Sequence, residues 1–116
     1  MKPLFITVFL FVLSFFCLGS ELRCGWLQNP SPSNQWISDK DGTWDISIQG
    51  RFTSSGIEKL KGFPDKEFVK TNENYGYGCA CISADVDHDE KKVIKIYSSK
   101  ILPLSRCQGD RTLSEP

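Results

Sequence analysis

Hydrophobic and polar residues alternate along several short stretches of the chain, which is the pattern of half-buried β-strands. The clearest stretch is 43–49, where Trp44, Ile46 and Ile48 alternate with polar residues. A second stretch, 78–85, places Ile82 and Ala84 on the side opposite to its cysteines. A third, 92–98, is rich in β-branched and aromatic residues, which favours a strand over a helix. The pattern predicts a domain of about four to six strands.

A hairpin is predicted around residues 39–42, which read Asp-Lys-Asp-Gly. Asp at the start and Gly at the left-handed position suit a type I turn closed by a bulge. In that register Asp39 pairs with Thr43, and Trp36 lies opposite Ile46. The face so formed holds Trp36, Trp44, Ile46 and Ile48. A register shifted by one residue would move Trp36 to the polar side.

The remaining segments are less regular. Residues 29–34 alternate proline with small polar residues, which predicts an extended linker rather than a strand. Glycine and proline interrupt 50–66, where at most one helical turn fits, at 57–61. Residues 68 and 69 favour a short strand. The acidic run 85–90 is expected to be the solvated tip that joins the strands 78–85 and 92–98.

The amino-terminal segment has the layout of a cleaved secretory signal. Lys2 precedes an apolar stretch, 4–18, and small residues follow at Gly19 and Ser20. The stretch is shorter than a membrane-spanning helix requires. We therefore predict a signal peptide over 1–20 and a single mature domain over 21–116, exported to a compartment where thiols oxidise.

Four cysteines of the mature chain, Cys24, Cys79, Cys81 and Cys107, are expected to form two disulfides. Cys79 and Cys81 lie two residues apart on one strand face, which is poor geometry for bonding each other. Two connectivities remain open: 24–79 with 81–107, or 24–81 with 79–107. Loop entropy does not choose between them, since each bridge contributes about 4 kcal/mol in either arrangement. Both tie the two chain ends to one central strand.

Charge and composition exclude several classes of function. The chain carries 14 basic and 14 acidic side chains, which leaves no electrostatic footprint for nucleic acid and no polybasic run for an anionic membrane. The run 85–90 begins like a calcium loop, but Glu90 stands where that loop needs glycine and Ile96 where it needs a carboxylate. We expect no metal, no cofactor, no membrane span in the mature chain, and a monomer.

The most suggestive stretch for function is 72–78, which reads Asn-Glu-Asn-Tyr-Gly-Tyr-Gly. Glycines allow the backbone to approach another segment or a ligand closely. The simplest interpretation is a tight corner that leads into the cysteine strand. Tyrosine with asparagine also makes an adaptable contact surface, which predicts binding by Trp36, Asn72, Asn74, Tyr75 and Tyr77.

No arrangement of residues indicates catalysis. His88 is the only histidine, and every mature cysteine is expected to be bonded, so no thiol nucleophile remains for it to activate. We expect no enzymatic activity. The alternative is a hydrolase that acts on the cell wall, which requires carboxylates such as Glu73, Asp85 or Asp87 to converge in a pocket with shifted pKa values.

Several motifs together resemble a known family. They are Cys-Gly-Trp-Leu at 24–27, Asn-Pro at 29–30 with Pro32, Asp-Gly-Thr-Trp at 41–44, Gln-Gly at 49–50, Thr-Asn at 71–72, Tyr-Gly-Tyr-Gly-Cys-Ala-Cys at 75–81, and Pro-Leu at 103–104 with Cys107. The set resembles the bacterial domain of unknown function family numbered 4087. One departure is Arg51, where members often have a second glycine. The resemblance implies an exported protein of the bacterial envelope, and it transfers no catalytic residue.

These observations predict a small all-β or β-rich domain of antiparallel hairpins, stapled by two disulfides after an N-terminal signal peptide. The expected function is that of a periplasmic or secreted binding module for an unidentified protein or envelope component. The alternatives are the cell-wall hydrolase and a purely structural envelope component. A structural component would show neither a pocket nor an exposed aromatic patch.

Overall fold

The computed structural model describes residues 19–116. Its strands are β1 (Glu21–Ser31), β2 (Asn34–Asp39), β3 (Gly42–Ile48), β4 (Phe52–Thr53), β5 (Val69–Asn72), β6 (Tyr75–Asp87) and β7 (Lys92–Leu102). Single 3₁₀ turns lie at Ile57–Lys59 and Asp65–Glu67, and one helix, α1 (Leu104–Gln108), follows β7. The predicted β-rich fold is confirmed. Residues 1–18 of the predicted signal peptide lie outside the described part of the chain, and the signal peptide stays a prediction.

Five strands close into a barrel. They pair in the order β1-β2-β3-β7-β6, and β6 pairs in turn with β1. β4 extends β3, and β5 extends the sheet beyond β6. The β3–β7 junction is parallel and contains the single pair Asp45–Lys92, whereas all other strand pairs are antiparallel. The sheet is therefore mixed, where the sequence predicted antiparallel hairpins alone.

Two apolar clusters lie on opposite sides of the barrel wall. The interior cluster contains Leu27, Ile37, Trp44, Ile46, Ala80, Ile82, Ala84, Val93 and Ile96. The outer cluster contains Trp26, Cys79, Leu102 and Cys107, with Leu104 of α1 packed against it. On β6 the predicted alternation is confirmed, because Ile82 and Ala84 belong to the interior cluster and the cysteines to the outer one.

The two disulfides are Cys24–Cys81 and Cys79–Cys107. Cys24 lies directly opposite Cys81 in the pairing of β1 with β6, and Cys107 ties α1 to the same strand. The prediction of two bridges is confirmed, and the fold selects one of the two connectivities left open. The bridges close loops of 57 and 28 residues. Each constrains the unfolded chain by about 4 kcal/mol in the loop-entropy model.

The predicted register of the first hairpin is wrong by one residue. Asp39 pairs with Gly42 rather than with Thr43, around a two-residue turn at 40–41. Trp36 consequently lies opposite Asp45 rather than Ile46, and it faces the outside of the barrel. Ile37 lies inside the barrel instead. Ile48 also leaves the predicted face, because a bulge at Ile46 pairs the buried Ser47 with Gln35 and shifts the alternation by one residue.

Asp39 accounts for this register. Its carboxylate is buried, and it accepts hydrogen bonds from Trp44 Nε1 at 3.0 Å and from the Asp41 N–H at 2.9 Å. Arg23 Nη1 lies 3.2 Å from the same carboxylate. These contacts hold the Asp39 side chain inside the barrel, whereas the predicted register, with Trp36 inside, would turn it to the opposite, outer side.

The linker predicted over residues 29–34 is also wrong. β1 continues to Ser31, a turn follows at 32–33, and β2 begins at Asn34. The Asn29 amide donates to the carbonyl oxygens of Ser31 at 3.0 Å and of Asn34 at 2.7 Å. Because prolines lack an N–H group, this side chain supplies the hydrogen bonds that close the turn.

Candidate functional site

Residues 72–78 form the tight hairpin between β5 and β6 that the sequence predicted. Asn72 pairs with Tyr75 across a turn at 73–74. A Cβ atom on Gly76 would lie 1.8 Å from the carbonyl oxygen of Val69, and one on Gly78 would lie 2.3 Å from the Phe63 ring. Both glycines therefore allow close approach of another segment of the same chain.

Four of the five predicted contact residues lie together on the outside of the barrel. Gln28 of β1 pairs with Trp36 on one side and with Tyr77 on the other. Residues paired across neighbouring strands project to the same side of a sheet. Leu27, the neighbour of Gln28, belongs to the interior cluster, so the row Trp36–Gln28–Tyr77 faces outwards.

Tyr75 and Asn72 extend this row. Tyr75 lies two residues from Tyr77 on the same strand, and Asn72 pairs with Tyr75. We call the set Asn72, Tyr75, Tyr77, Gln28 and Trp36 the outer face. At about 4.8 Å between strands, the backbones of Trp36 and Tyr77 are roughly 10 Å apart. No side chain of the outer face carries a charge.

The aromatic side chains of the outer face are held in place but remain accessible. Trp36, Tyr75 and Tyr77 are half-buried, and Asn72 is exposed. The ring of Tyr77 packs edge-on against Trp26, with 5.2 Å between ring centroids and an interplanar angle of 86°. This geometry is favourable for aromatic pairs and limits the motion of the tyrosine ring. The outer face therefore offers preformed apolar contact area.

A groove of about 540 Å³ borders the outer face at Tyr77. Trp26 and Tyr77 form one wall, and side chains of the carboxyl-terminal segment, among them Gln108, Arg111 and Leu113, form the other. Leu113 also packs against the outer cluster, which keeps this segment on the sheet. The groove extends the surface that a ligand of the outer face can contact.

Asn74, the fifth predicted contact residue, lies apart from the other four. It lines a cavity of about 460 Å³ at one end of the barrel, which we call the open end. The other lining residues are Leu27, Asn29, Gln35, Ile57, Leu60, Lys61, Gly62, Phe63, Asp65, Phe68 and Lys70. Most of these residues lie in the irregular segment 57–68, where hydrophobic periodicity is absent, and Phe63 and Phe68 are the one local signal of the cavity.

The opposite end of the barrel, which we call the closed end, is filled by Trp44. Its side chain is 0% exposed. The guanidinium carbon of Arg23 lies 4.2 Å from the centre of the indole, and Lys91 Nζ lies 4.4 Å from it. The His88 ring meets the indole edge-on at 5.3 Å. Cations over an indole are attracted by its negative face.

Arg23 is held at the closed end by three carboxylates. Its guanidinium lies 3.2 Å from Asp39, 2.8 Å from Asp41 and 3.2 Å from Glu21. Burial acts to lower the pKa of Arg23, and the hydrogen bonds to Asp39 and Asp41 outweigh it, so the pKa lies above its ordinary value. His88 Nε2 also lies 2.9 Å from Glu21. Both terminal nitrogens of Arg23 therefore have carboxylate partners, whereas its buried Nε has no hydrogen-bond partner among the described residues.

The carboxylates named for a hydrolase do not share a site. Asp85 accepts a hydrogen bond of 2.6 Å from the Tyr97 hydroxyl, which raises the pKa of Tyr97 above its ordinary value. Asp87 accepts from the N–H groups of residues 89 and 90, both at 3.0 Å. Glu73 is exposed in the turn at 73–74. None of the three lines the groove or the cavity described above.

Within 19–116, no group of three or more His, Cys, Asp or Glu side chains is arranged to hold a metal ion. No helix in that part of the chain combines the length and the apolar character that a membrane span requires.

Comparison with known proteins identifies the family. Searches of the curated proteins and of the solved structures return no match to the chain. A family described as "Protein of unknown function (DUF4087)" matches residues 19–114. The matched range contains the whole barrel, the outer face and the four cysteines of the two disulfides. The chain therefore belongs to the DUF4087 family, as the motifs around its cysteines indicated.

Proposed function

We propose that the protein is an exported binding module that contacts a protein or another macromolecule of the cell envelope through its outer face. The observation that carries the proposal is the row Trp36–Gln28–Tyr77, which strand pairing places side by side across β2, β1 and β6. Tyr75 and Asn72 lengthen that row at its β6 side.

The chemistry of the outer face suits recognition. Tyrosine and tryptophan bring large contact area with few rotatable bonds, so little conformational entropy is lost when a partner binds. The amide nitrogens of Gln28 and Asn72 donate to Ser38 Oγ and to the Pro30 carbonyl oxygen. Their amide oxygens are acceptors that do not require a charged partner. A neutral aromatic surface of this kind favours a partner with apolar faces and hydrogen-bonding groups, and it does not favour a polyanion.

The location that we propose is the periplasm or the exterior of the cell. The two disulfides support it, because such bonds persist in oxidising compartments. We propose that the module acts as a monomer and without catalysis. A purely structural envelope component would need no accessible aromatic row, and the half-exposed Trp36, Tyr75 and Tyr77 support a binding role over that alternative.

Site-specific crosslinking in living cells tests the proposal. A photoreactive amino acid is placed at Tyr75 in one strain and at Tyr97 in another. Tyr97 is the matched control, since it is a 40% exposed tyrosine on β7, outside the outer face. We expect a reproducible adduct from position 75 that is absent from position 97.

A second pair of variants connects the adduct to the aromatic row. Trp36→Ala should reduce the yield of the adduct at position 75 at least fivefold, because it removes the largest side chain of the row. Leu22→Ala, which truncates an exposed apolar residue elsewhere on β1, should leave the yield unchanged. Equal adducts from positions 75 and 97, or no adduct from position 75, would refute binding through the outer face.

A further inference from the structure

We propose that the cavity at the open end is a second binding site, and that it accepts a small amphiphilic carboxylate, a molecule with one apolar part and one carboxylate group. The site is separate from the outer face. Val69 pairs with Tyr77 and therefore shares the outer side of the sheet. Its neighbours along the chain, Phe68 and Lys70, line the cavity on the inner side.

Aromatic and aliphatic side chains form the apolar wall of the cavity. The rings of Phe63 and Phe68 are stacked, with 5.4 Å between centroids and an interplanar angle of 21°. Phe63 rests on Gly78, where a Cβ atom would come within 2.3 Å of its ring. Leu27 adds aliphatic surface from the barrel interior. Cavities in barrel mouths with such walls and a few polar groups are the usual form of a small-molecule site.

The wall formed by the segment 57–63 is fixed by a buried serine. Ser99 of β7 is 9% exposed, and its Oγ accepts a hydrogen bond of 3.0 Å from the Lys61 N–H. The same hydroxyl donates to the carbonyl oxygen of Lys59 at 2.8 Å. These bonds hold the backbone beside Phe63 in one position, so the cavity exists before a ligand arrives.

The charged groups of the cavity favour an anion. Its lining contains Lys61 and Lys70 against a single carboxylate, Asp65, which gives a net charge of plus one. The ion pairs of residues 19–116 involve Arg23, His88 and Lys92, and neither lysine of the cavity takes part in one. An ammonium group without a protein partner is well suited to bind a ligand carboxylate.

Size limits the ligand. The volume of about 460 Å³ lies within the range of about 300 to 1,000 Å³ that is usual for small-molecule pockets, so the ligand is expected to be a small molecule. The side-chain amides of Gln35 and Asn74 lie at the same cavity, and neither forms a side-chain hydrogen bond within the described residues. They add uncharged hydrogen-bonding groups to the lining.

Calorimetric titration with four probes tests the proposal. Decanoate and 4-phenylbutyrate carry a carboxylate on an aliphatic and an aromatic body, and decanol and 4-phenylbutanol are their uncharged counterparts. We expect at least one carboxylate to bind tenfold or more tightly than its alcohol. The double variant Lys61→Gln/Lys70→Gln should abolish that preference, and it changes only two exposed side chains, so folding is retained.

Matched controls distinguish this site from the outer face. Lys40→Gln/Lys100→Gln removes the same charge from exposed positions outside the cavity and should keep the preference. Trp36→Ala should also keep the preference for the carboxylate. If the outer face proves not to bind a partner, the proposal for the cavity is therefore unaffected. The proposal is overturned if neither carboxylate binds, if each binds no better than its alcohol, or if both double variants lose affinity equally. A preference that survives 1 M salt unchanged would equally contradict an ion pair in the site.

Discussion

The two ends of the barrel differ in how side chains fill the interior. At the closed end, a fully buried Trp44 fills the interior, and Arg23 and Lys91 cover its ring. At the open end, Gly78 occupies the wall, and the half-buried Phe63 lies over it. Little space therefore remains at the closed end, whereas the open end contains a cavity of about 460 Å³.

The difference indicates a division of roles along the barrel axis. Large buried side chains contribute most to stability, because their burial removes much apolar surface from water. A site for a ligand needs unfilled space, so it is expected where side chains are small or only partly buried. The closed end therefore contributes mainly to stability, and the open end retains space for a function.

Trp44→Ala should cause the largest loss of stability. Removing a fully buried tryptophan leaves a cavity that neighbours fill only in part, and we expect a loss of about 4 kcal/mol. Phe63→Ala at the open end should cost about 1 to 2 kcal/mol, because Phe63 is only half-buried. Urea unfolding of the oxidised protein measures both. Equal losses at the two positions would contradict the contrast between the ends.

Substituting glycine by alanine tests how rigidly each end is packed, because the added Cβ atom meets different atoms at the two positions. In Gly25→Ala, the new Cβ would lie 2.0 Å from the backbone oxygen of Ser38, which cannot move without breaking strand pairing. We expect a loss of about 3 kcal/mol or more. In Gly78→Ala the obstacle is the Phe63 side chain, which can rotate, and about 1 kcal/mol is expected. Thermal unfolding measures the loss of stability in both variants. A larger loss for Gly78→Ala than for Gly25→Ala would mean that the open end is packed as rigidly as the rest of the barrel.

Asp39→Asn should destabilise the closed end by about 2 to 3 kcal/mol, because Arg23 remains buried while one of its carboxylate partners loses its charge. Asp41→Asn is the matched control. Its side chain is 49% exposed, and the expected loss is below about 1 kcal/mol. Urea midpoints of the two variants distinguish a buried ion pair from a surface one, and identical midpoints would contradict the role given to Asp39.

The smallest effect is expected at Asp45, in the β3–β7 pair beside the closed end. Burial raises the pKa of Asp45 above its ordinary value of 3.8, and the charge of Arg51 acts against this. A carboxyl group whose pKa is raised by folding favours the folded state most at low pH, and that contribution is lost as pH rises through the folded pKa. Asp45→Asn should therefore gain about 0.5 kcal/mol or less at pH 7. The gain should vanish below pH 3.8, and stability measured across this range checks the sign.

Alternation along single strands made much of the fold predictable. The pattern at 78–85 separated Ile82 and Ala84 from Cys79 and Cys81, and the barrel wall keeps this separation. The helical turn predicted at 57–61 is present at 57–59, whereas a second turn at 65–67 was not predicted. The acidic run 85–90 was predicted as the tip between two strands, but β6 continues to Asp87 and the tip lies at 88–91. Period-two patterning works within a strand because neighbouring side chains must point to opposite faces.

The pairing of segments that are distant in the chain could not be predicted from alternation. Both cysteine connectivities had nearly equal loop entropy, and only the register of β1 against β6 brought Cys24 opposite Cys81. The hairpin register depended on the contact between Asp39 and Arg23, two residues on different strands. Asn74 was grouped with Tyr75 and Tyr77 from their neighbourhood in the chain, although the turn sends it to the open end.

The sequence by itself determined that the described chain is built of strands, which residues of β6 share a face, and that four cysteines pair. Only the tertiary structure decided that the sheet closes on itself, that Trp36 joins Tyr77 on the outer face, and that a cavity opens beside Phe63. The physical reason is the distance along the chain between the residues that interact. Local alternation is set by backbone geometry, whereas closure and sites depend on many weak contacts between residues that are far apart in the chain.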